Sequence, residues 1–246
     1  MTIRKFVSNL LNPIRVLPPS QAYALWAPNY DETDNNAVIL TEEQILLPIF
    51  DRIGFDNKRI IDFGCGTGRH ITHCLNRNAS EILGIDISEA MLSVARKKFK
   101  YPKVHFIQSG LDAIPILSSI FDVGIASLVL SHLNQLGPCL REMGRVLKTG
   151  ARLLITDIHW SFSERGWQRT FRPQELPSRR FAPASYYHTF FDFQRAFDEN
   201  GFAMVTHSEP ALNPTVRSCF ERSNMIQVYE RYLGKPLMVF FEVTKR

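Results

Sequence analysis

Residues 60–68 read Ile60-Ile61-Asp62-Phe63-Gly64-Cys65-Gly66-Thr67-Gly68, an apolar strand that runs straight into a loop with glycine at every second position. Gly64, Gly66 and Gly68 carry no side chain to hold a ligand away, and they tolerate backbone angles that other residues avoid. The loop opens a helix, predicted over 68–77, whose first amide groups face whatever the loop cradles. Farther along, Gly84-Ile85-Asp86-Ile87 closes a second apolar strand. A carboxylate at that strand end is placed to accept hydrogen bonds from two ribose hydroxyls. The two pieces describe a nucleoside site at the edge of a parallel sheet.

Outward from this centre, strand and helix alternate. Strands are predicted near 59–63, 81–85, 103–107, 121–127 and 151–157, and helices near 68–77, 88–99 and 133–147. Ser88 caps the second of these helices and Gly150 closes the third. Such alternation predicts an α/β fold: a parallel sheet covered on both faces, with ligands at the C-terminal strand ends. After an irregular insertion (158–187), His188–Asn200 reads as a helix with Gly201 as its stop. Phe202–His207 and Leu237–Thr244 read as strands. Upstream, Thr41–Ile53 reads as a helix capped by Thr41, with Glu42 and Glu43 in its first turn and Gly54 ending it. In residues 1–17, Ile3, Phe6, Val7, Leu10, Leu11 and Ile14 fall on one helical face, and Pro18-Pro19 stops that helix. A lid packed on its own domain and a membrane-surface helix both fit that face. We therefore divide one structural domain into a helical lid segment (1–54) and a main body (55–246), with 158–187 as a cover.

The identity of the nucleoside decides function. A dinucleotide fingerprint, G-x-G-x-x-G, needs a last glycine where this chain has Arg69 or Ile71. The chain instead has G-x-G-x-G preceded by Asp62. Phe121-Asp122-Val123 opens a fourth strand, followed by Leu130-Ser131-His132-Leu133. Glu142-Met143-Gly144-Arg145-Val146-Leu147-Lys148-Thr149-Gly150 leads into Arg152-Leu153-Leu154-Ile155-Thr156-Asp157. In these four ordered motifs, over roughly residues 55–160, the sequence resembles the class I S-adenosylmethionine (SAM)-dependent methyltransferases, in their small-molecule, type 11 branch.

That resemblance implies a Rossmann-like, seven-stranded, mostly parallel sheet whose last strand inserts antiparallel. It implies SAM as cofactor and methyl transfer to an O, N or C atom of a small molecule. Gly64, Gly66 and Gly68 would pack against the nucleoside and amino-acid parts of SAM, and Asp62 would orient the loop or hold the ammonium. Asp86 would bind the ribose diol, Ile87 and Met91 the adenine, Ser127 the methionine part, and Tyr30 would fold over that end. The family's Gly-Asp-Ala triplet is here Ser109-Gly110-Leu111, so its aspartate is missing and adenine would rest on the Leu111 amide and the Ser109 hydroxyl. A SAM-binding partner protein without catalysis, a dehydrogenase and an RNA methyltransferase remain open as alternatives.

For the acceptor side, His159 and Trp160 directly follow the fifth strand, and His132 begins the helix after the fourth. Both histidines are candidates for acid–base work. Tyr23, Trp26, Trp160, Trp167, Arg172 and Tyr187 are candidates to contact the acceptor. The net charge is +5 and is unevenly placed. Residues 1–30 carry +3, and 158–187, with Arg165, Arg169, Arg172, Arg179 and Arg180, carry another +3. This placement predicts an anionic or carrier-bound acceptor. Nucleic acid is disfavoured, because aromatic and basic residues interleave over too short a stretch for a binding module. The four cysteines form no C-x-x-C pair, so neither zinc nor a disulfide framework is predicted, and a reducing, cytoplasmic setting is expected.

Overall fold

The computed structural model describes residues 13–32, 36–164 and 169–246. The chain runs β1 (Ile14–Leu17), α1 (Pro19–Trp26), α2 (Ala37–Ile53), β2 (Arg59–Phe63), α3 (Arg69–Leu75), β3 (Glu81–Asp86), α4 (Glu89–Lys98), β4 (Val104–Gln108), β5 (Phe121–Ser127), α5 (Leu136–Val146) and β6 (Leu147–Ile158). It continues with α6 (Trp160–Glu164), β7 (Arg180–Pro183), α7 (Phe190–Glu199), β8 (Phe202–Ser208), α8 (Arg217–Arg222), α9 (Ile226–Tyr232) and β9 (Met238–Lys245).

Seven strands form one sheet in the order β4-β3-β2-β5-β6-β9-β8. All neighbouring pairs are parallel except those made by β9, which runs antiparallel to both β6 and β8. Both faces of the central strands are buried, so they read as continuous apolar runs. Neighbours along β2 serve opposite faces. Ile60 packs with Leu46, Phe50 and Ile71 beneath α2 and α3. Ile61 packs with Leu140, Met143, Phe193 and Phe197 beneath α5 and α7.

Helix starts follow capping chemistry. Ser88 accepts from the Met91 amide, and Thr189 and Asp192 form a reciprocal capping box on α7. Helix α2 departs from expectation, for it starts at Ala37, where the Asn36 side chain accepts from the amides of Val38 and Ile39. Thr41 is therefore a buried residue of the second turn, not the cap, and Glu42 is fully buried. An earlier strong capping residue before an apolar run outcompetes a later one.

The N-terminal expectation also needs correction. Residues 1–12 lie outside the described residues, and residues 14–17 are strand, paired in parallel with β7 from Ile14↔Arg180 to Leu17↔Pro183. Pro18 does not end a helix; it precedes α1, with Pro19 at its first position. Ile14 and Val16 are β-branched and lie between prolines, which favours extended backbone. The segment before the sheet and the 158–187 insertion thus hydrogen-bond to one another. No helix among the described residues is long and apolar enough to cross a membrane.

Candidate cofactor and acceptor site

The carboxyl ends of β2, β3 and β5 form the floor of a cavity of about 630 Å³, within the ~300–1,000 Å³ usual for small-molecule sites. The amides of Gly64 and Cys65 both donate to the Ile85 carbonyl, which folds the loop over the end of β3. The Gly66 amide then donates to Asp86 Oδ2 at 2.9 Å, and the Ser88 amide to Oδ1 at 2.8 Å. Asp86 lines the cavity with its remaining lone pairs. Burial raises its pKa against these hydrogen bonds, which lower it.

Glycine is required in the loop for two different reasons. At Gly64 (φ 71°) a Cβ would meet Val129 Cγ2 at 2.4 Å. At Gly66 (φ 53°) a Cβ would meet only Tyr30 Cε1 at 3.9 Å and would project into the cavity. The second is a close-approach position for a ligand.

Behind the floor lies a buried polar node that sequence reading missed. Glu42 accepts hydrogen bonds from Arg69 Nη2, from Ser127 Oγ at 2.5 Å and from Thr156 Oγ1. Ser127 and Thr156 are register partners at the ends of β5 and β6. One carboxylate from α2 therefore clamps two strand ends and the first turn of α3. Next to it, Asp62 is 1% exposed and neither carboxyl oxygen has a hydrogen-bond partner among the described residues. Burial, with Glu42 and Asp86 adding to it against Arg69, pushes the Asp62 carboxyl up to about 7.

The roof comes from α1 and the turn after β5. The Tyr23 hydroxyl lies 2.8 Å from His132 Nε2, and His132 Nδ1 lies 2.9 Å from the Ala184 carbonyl. A carbonyl only accepts, so Nδ1 carries the proton and Nε2 accepts from the phenol. Burial lowers the His132 pKa, partly opposed by the Ala184 bond. Burial also raises that of Tyr23. The roof is tied to the floor by Asp31, which accepts from Thr67 Oγ1 at 2.6 Å and from Lys98 Nζ at 2.9 Å.

The cavity brings together most of the residues singled out from the sequence. Tyr30, Gly64, Gly66, Asp86, Ile87, Ser109, Gly110, Leu111 and Ser127 line it, as do Tyr23 and His132. Others sit elsewhere. Asp62 and Met91 are buried behind the floor. Gly68 caps α3, where a Cβ would meet Phe99. Trp26 lies on the back of the roof, stacked on Phe171 at 4.5 Å. Arg172 is exposed and donates to the Pro177 carbonyl. Tyr187 is exposed and lines a neighbouring cavity of about 550 Å³. Trp167 lies outside the described residues.

His159 is corrected outright. It is 4% exposed and away from the cavity, its Nδ1 accepts from the Ser161 amide, and its Nε2 faces Glu209 at 3.3 Å. Trp160 packs beside it against the main core. β9 pairs along the end of β6, with Ile158 opposite Met238, and the His159 amide donates to the Leu237 carbonyl ahead of that strand.

Asp112, two residues past Gly110, lines the cavity, and its Oδ1 lies 2.7 Å from the point where a Cβ at residue 110 would sit. The Ser109 hydroxyl donates within its own turn, to the carbonyls of Gly110 and Ala113. Among the described residues the cavity wall carries two carboxylates, Asp86 and Asp112, and no lysine or arginine. No group of three metal-ligating side chains occurs among the described residues.

A parallel sheet with one antiparallel insertion, a glycine loop and an acid closing the next strand define a Rossmann-like methyltransferase fold. Residues 61–155 match the family model described as a methyltransferase domain, Methyltransf_11. The chain is 31% identical over 100 residues to the malonyl-[acyl-carrier protein] O-methyltransferase of Enterobacter lignolyticus, covering 41% of this chain and 39% of that protein. It is 33% identical over 108 residues to the ubiquinone/menaquinone biosynthesis C-methyltransferase of Vibrio vulnificus, covering 41% of each. The match thus spans about two fifths of these relatives. A structure described as a putative SAM-dependent methyltransferase from Listeria monocytogenes superposes with TM-score 0.63 at 23% identity, covering 78% of this chain and 91% of that one.

Over residues 61–155 the chain is thus similar to the SAM-dependent methyltransferases of the type 11 branch. S-adenosylmethionine is the cofactor this likeness implies. The site fits it: Gly66 leaves open space where a Cβ would intrude, Asp86 offers acceptors for a diol, and an acidic wall suits a sulfonium cation.

Proposed function

We propose that the protein transfers the methyl group of SAM to an O, N or C atom of a small-molecule acceptor. The observation that supports this most is the single cavity that joins the Gly64–Asp86 floor to the Tyr23–His132 pair. Bound there, SAM supplies a methyl group already activated by its sulfonium. The protein's part is to bind, to orient the acceptor and to exclude water; orientation contributes ~7–11 kcal/mol in such transfers.

In this reading Asp86 holds the ribose, and the loop from Gly64 carries the nucleoside. Tyr23 and His132 receive the acceptor's proton: the phenol passes its own proton to His132 Nε2 as it takes one from the acceptor. The segment before β2 and the 158–187 insertion act as a cover over one domain. Relatives described as O- and C-methyltransferases, one of them acting on a carrier-bound malonyl group, support acceptors of this size, free or carrier-bound. All four cysteines are free and buried, which supports a reducing, cytoplasmic setting.

The experiment is incubation of the purified protein with methyl-labelled SAM and a metabolite extract. The reading expects label in a discrete small molecule together with stoichiometric S-adenosylhomocysteine. Saturable SAM binding with no labelled product and no S-adenosylhomocysteine refutes catalysis and leaves a binding protein.

A further inference from the structure

Arg169 sits in a seat built for it. Its guanidinium carbon lies 4.9 Å from the centre of the Trp26 ring and 5.5 Å from that of Tyr30. Trp26 is itself held, stacked on Phe171 on one side and edge-on to Tyr30 at 5.1 Å on the other. Aromatic faces attract a cation without neutralising it. The one hydrogen bond Arg169 makes among the described residues is a long one, Nη2 to the Tyr30 hydroxyl at 3.4 Å. It has no carboxylate partner within ion-pair distance among the described residues.

Arg172 and Arg180 of the insertion differ. Arg172 is exposed and bonded to the Pro177 carbonyl, and Arg180 donates to Thr170. A partly buried guanidinium left without an anion is costly, and a fixed seat keeps it from swinging to solvent. The place is informative. Tyr30 lines the cavity above Gly66, and the other guanidinium near that wall, Arg69, which donates to Ser127, is already paired with Glu42. With the ribose at Asp86 and the adenine toward Ile87 and Leu111, as in the reading above, the opposite end of the cofactor would lie on the Tyr30 side of Gly66. That end carries the only negative group SAM possesses.

We propose that Arg169 receives the α-carboxylate of the cofactor's amino-acid end, so that the insertion after β6 completes the cofactor site as well as covering it. This rests on the SAM reading above. An acidic group on the acceptor is the other source of the same chemistry, and the test separates the two.

Calorimetric titration of the full chain and of Arg169→Gln would use two ligands: S-adenosylhomocysteine and 5′-methylthioadenosine, which lacks the amino-acid end. The expected result is at least a tenfold loss for S-adenosylhomocysteine in the variant, with 5′-methylthioadenosine unchanged within twofold. Arg169→Lys should recover part of the loss. Unchanged S-adenosylhomocysteine affinity overturns the assignment while leaving the SAM reading intact, because the unaltered chain still binds. Equal loss of both ligands also overturns it, since Arg169 then only props up the roof. A malonate-dependent rise in melting temperature of the S-adenosylhomocysteine-saturated protein, abolished in Arg169→Gln, assigns the guanidinium to the acceptor and overturns it too. Failure of the unaltered chain to bind either nucleoside refutes the SAM reading itself, and this assignment with it.

Discussion

Glu42→Gln tests whether one buried carboxylate holds the site's floor together. Glu42 is 0% exposed and accepts from Arg69, Ser127 and Thr156. Glutamine keeps the volume but removes the charge, and its amide nitrogen must face one of three donors. Breaking a buried ion pair from one side costs ~3–5 kcal/mol. Arg69 keeps 23% of its side chain exposed, so water takes up part of the loss and the lower end applies, about 3 kcal/mol. In a chain of this size each kcal/mol moves the melting temperature by ~2–4 °C, so a fall of about 6–12 °C is expected. Urea denaturation followed by circular dichroism gives the free energy directly. A cycle with Arg69→Met should recover at least ~1 kcal/mol, because the orphaned guanidinium is removed as well. A loss below about 1 kcal/mol for Glu42→Gln refutes the clamp.

Asp62→Asn should flatten the dependence of stability on pH. The folded pKa of about 7 lies above the ordinary aspartate value of 3.8, so between them the native state holds a proton that the unfolded chain has released. Stability therefore falls as pH rises from about 4 to about 7, by up to ~4 kcal/mol, and the asparagine variant should lack that slope in melting curves. An unchanged slope assigns it to other groups. Gly64→Ala should destabilise the free protein by ~2–4 kcal/mol, from left-handed strain and the Val129 clash, whereas Gly66→Ala should cost ~1–2 kcal/mol in strain and act mainly on ligand affinity. Equal stability losses would contradict the different surroundings of the two glycines. Tyr23→Phe should slow methyl transfer at least tenfold, toward the ~10²–10⁴ of a lost acid–base group, with S-adenosylhomocysteine affinity kept. The rate should fall as pH drops through the lowered His132 pKa, and His132→Gln should remove that acid limb.

The floor of the site was legible because its determinants are local. A glycine loop, an acid closing the next strand and alternating strand and helix patterns all lie within short stretches, and Gly64, Gly66, Asp86 and Ile87 occupy one wall. The roof was less legible because its partners are far apart in the chain. β1 finds β7 some way along the sequence, and four residues with two β-branched members carry no distinctive period. Glu42 looked like a first-turn acid because Thr41 can serve as a cap; with Asn36 as the cap the helix starts five residues earlier and Glu42 turns inward. His159 looked exposed to substrate by its place after a strand, but the antiparallel neighbour β9 buries that strand end. Helices α8 and α9 left no clear pattern: both are short and only Cys219 and Tyr229 are buried in them.

The claim that everything else depends on is that Asp86 and the Gly64 loop hold a nucleoside. Its most direct test is calorimetric titration of the unaltered chain and of Asp86→Ala with S-adenosylhomocysteine. Asp86 fixes the Gly66 amide and would accept from the ribose, and hydrogen bonds to a charged group contribute ~1.5–3 kcal/mol each. One binding site per chain is predicted, weakened at least tenfold in Asp86→Ala with the circular dichroism spectrum unchanged. No binding by the unaltered chain, or equal affinity in the two proteins, would contradict the account.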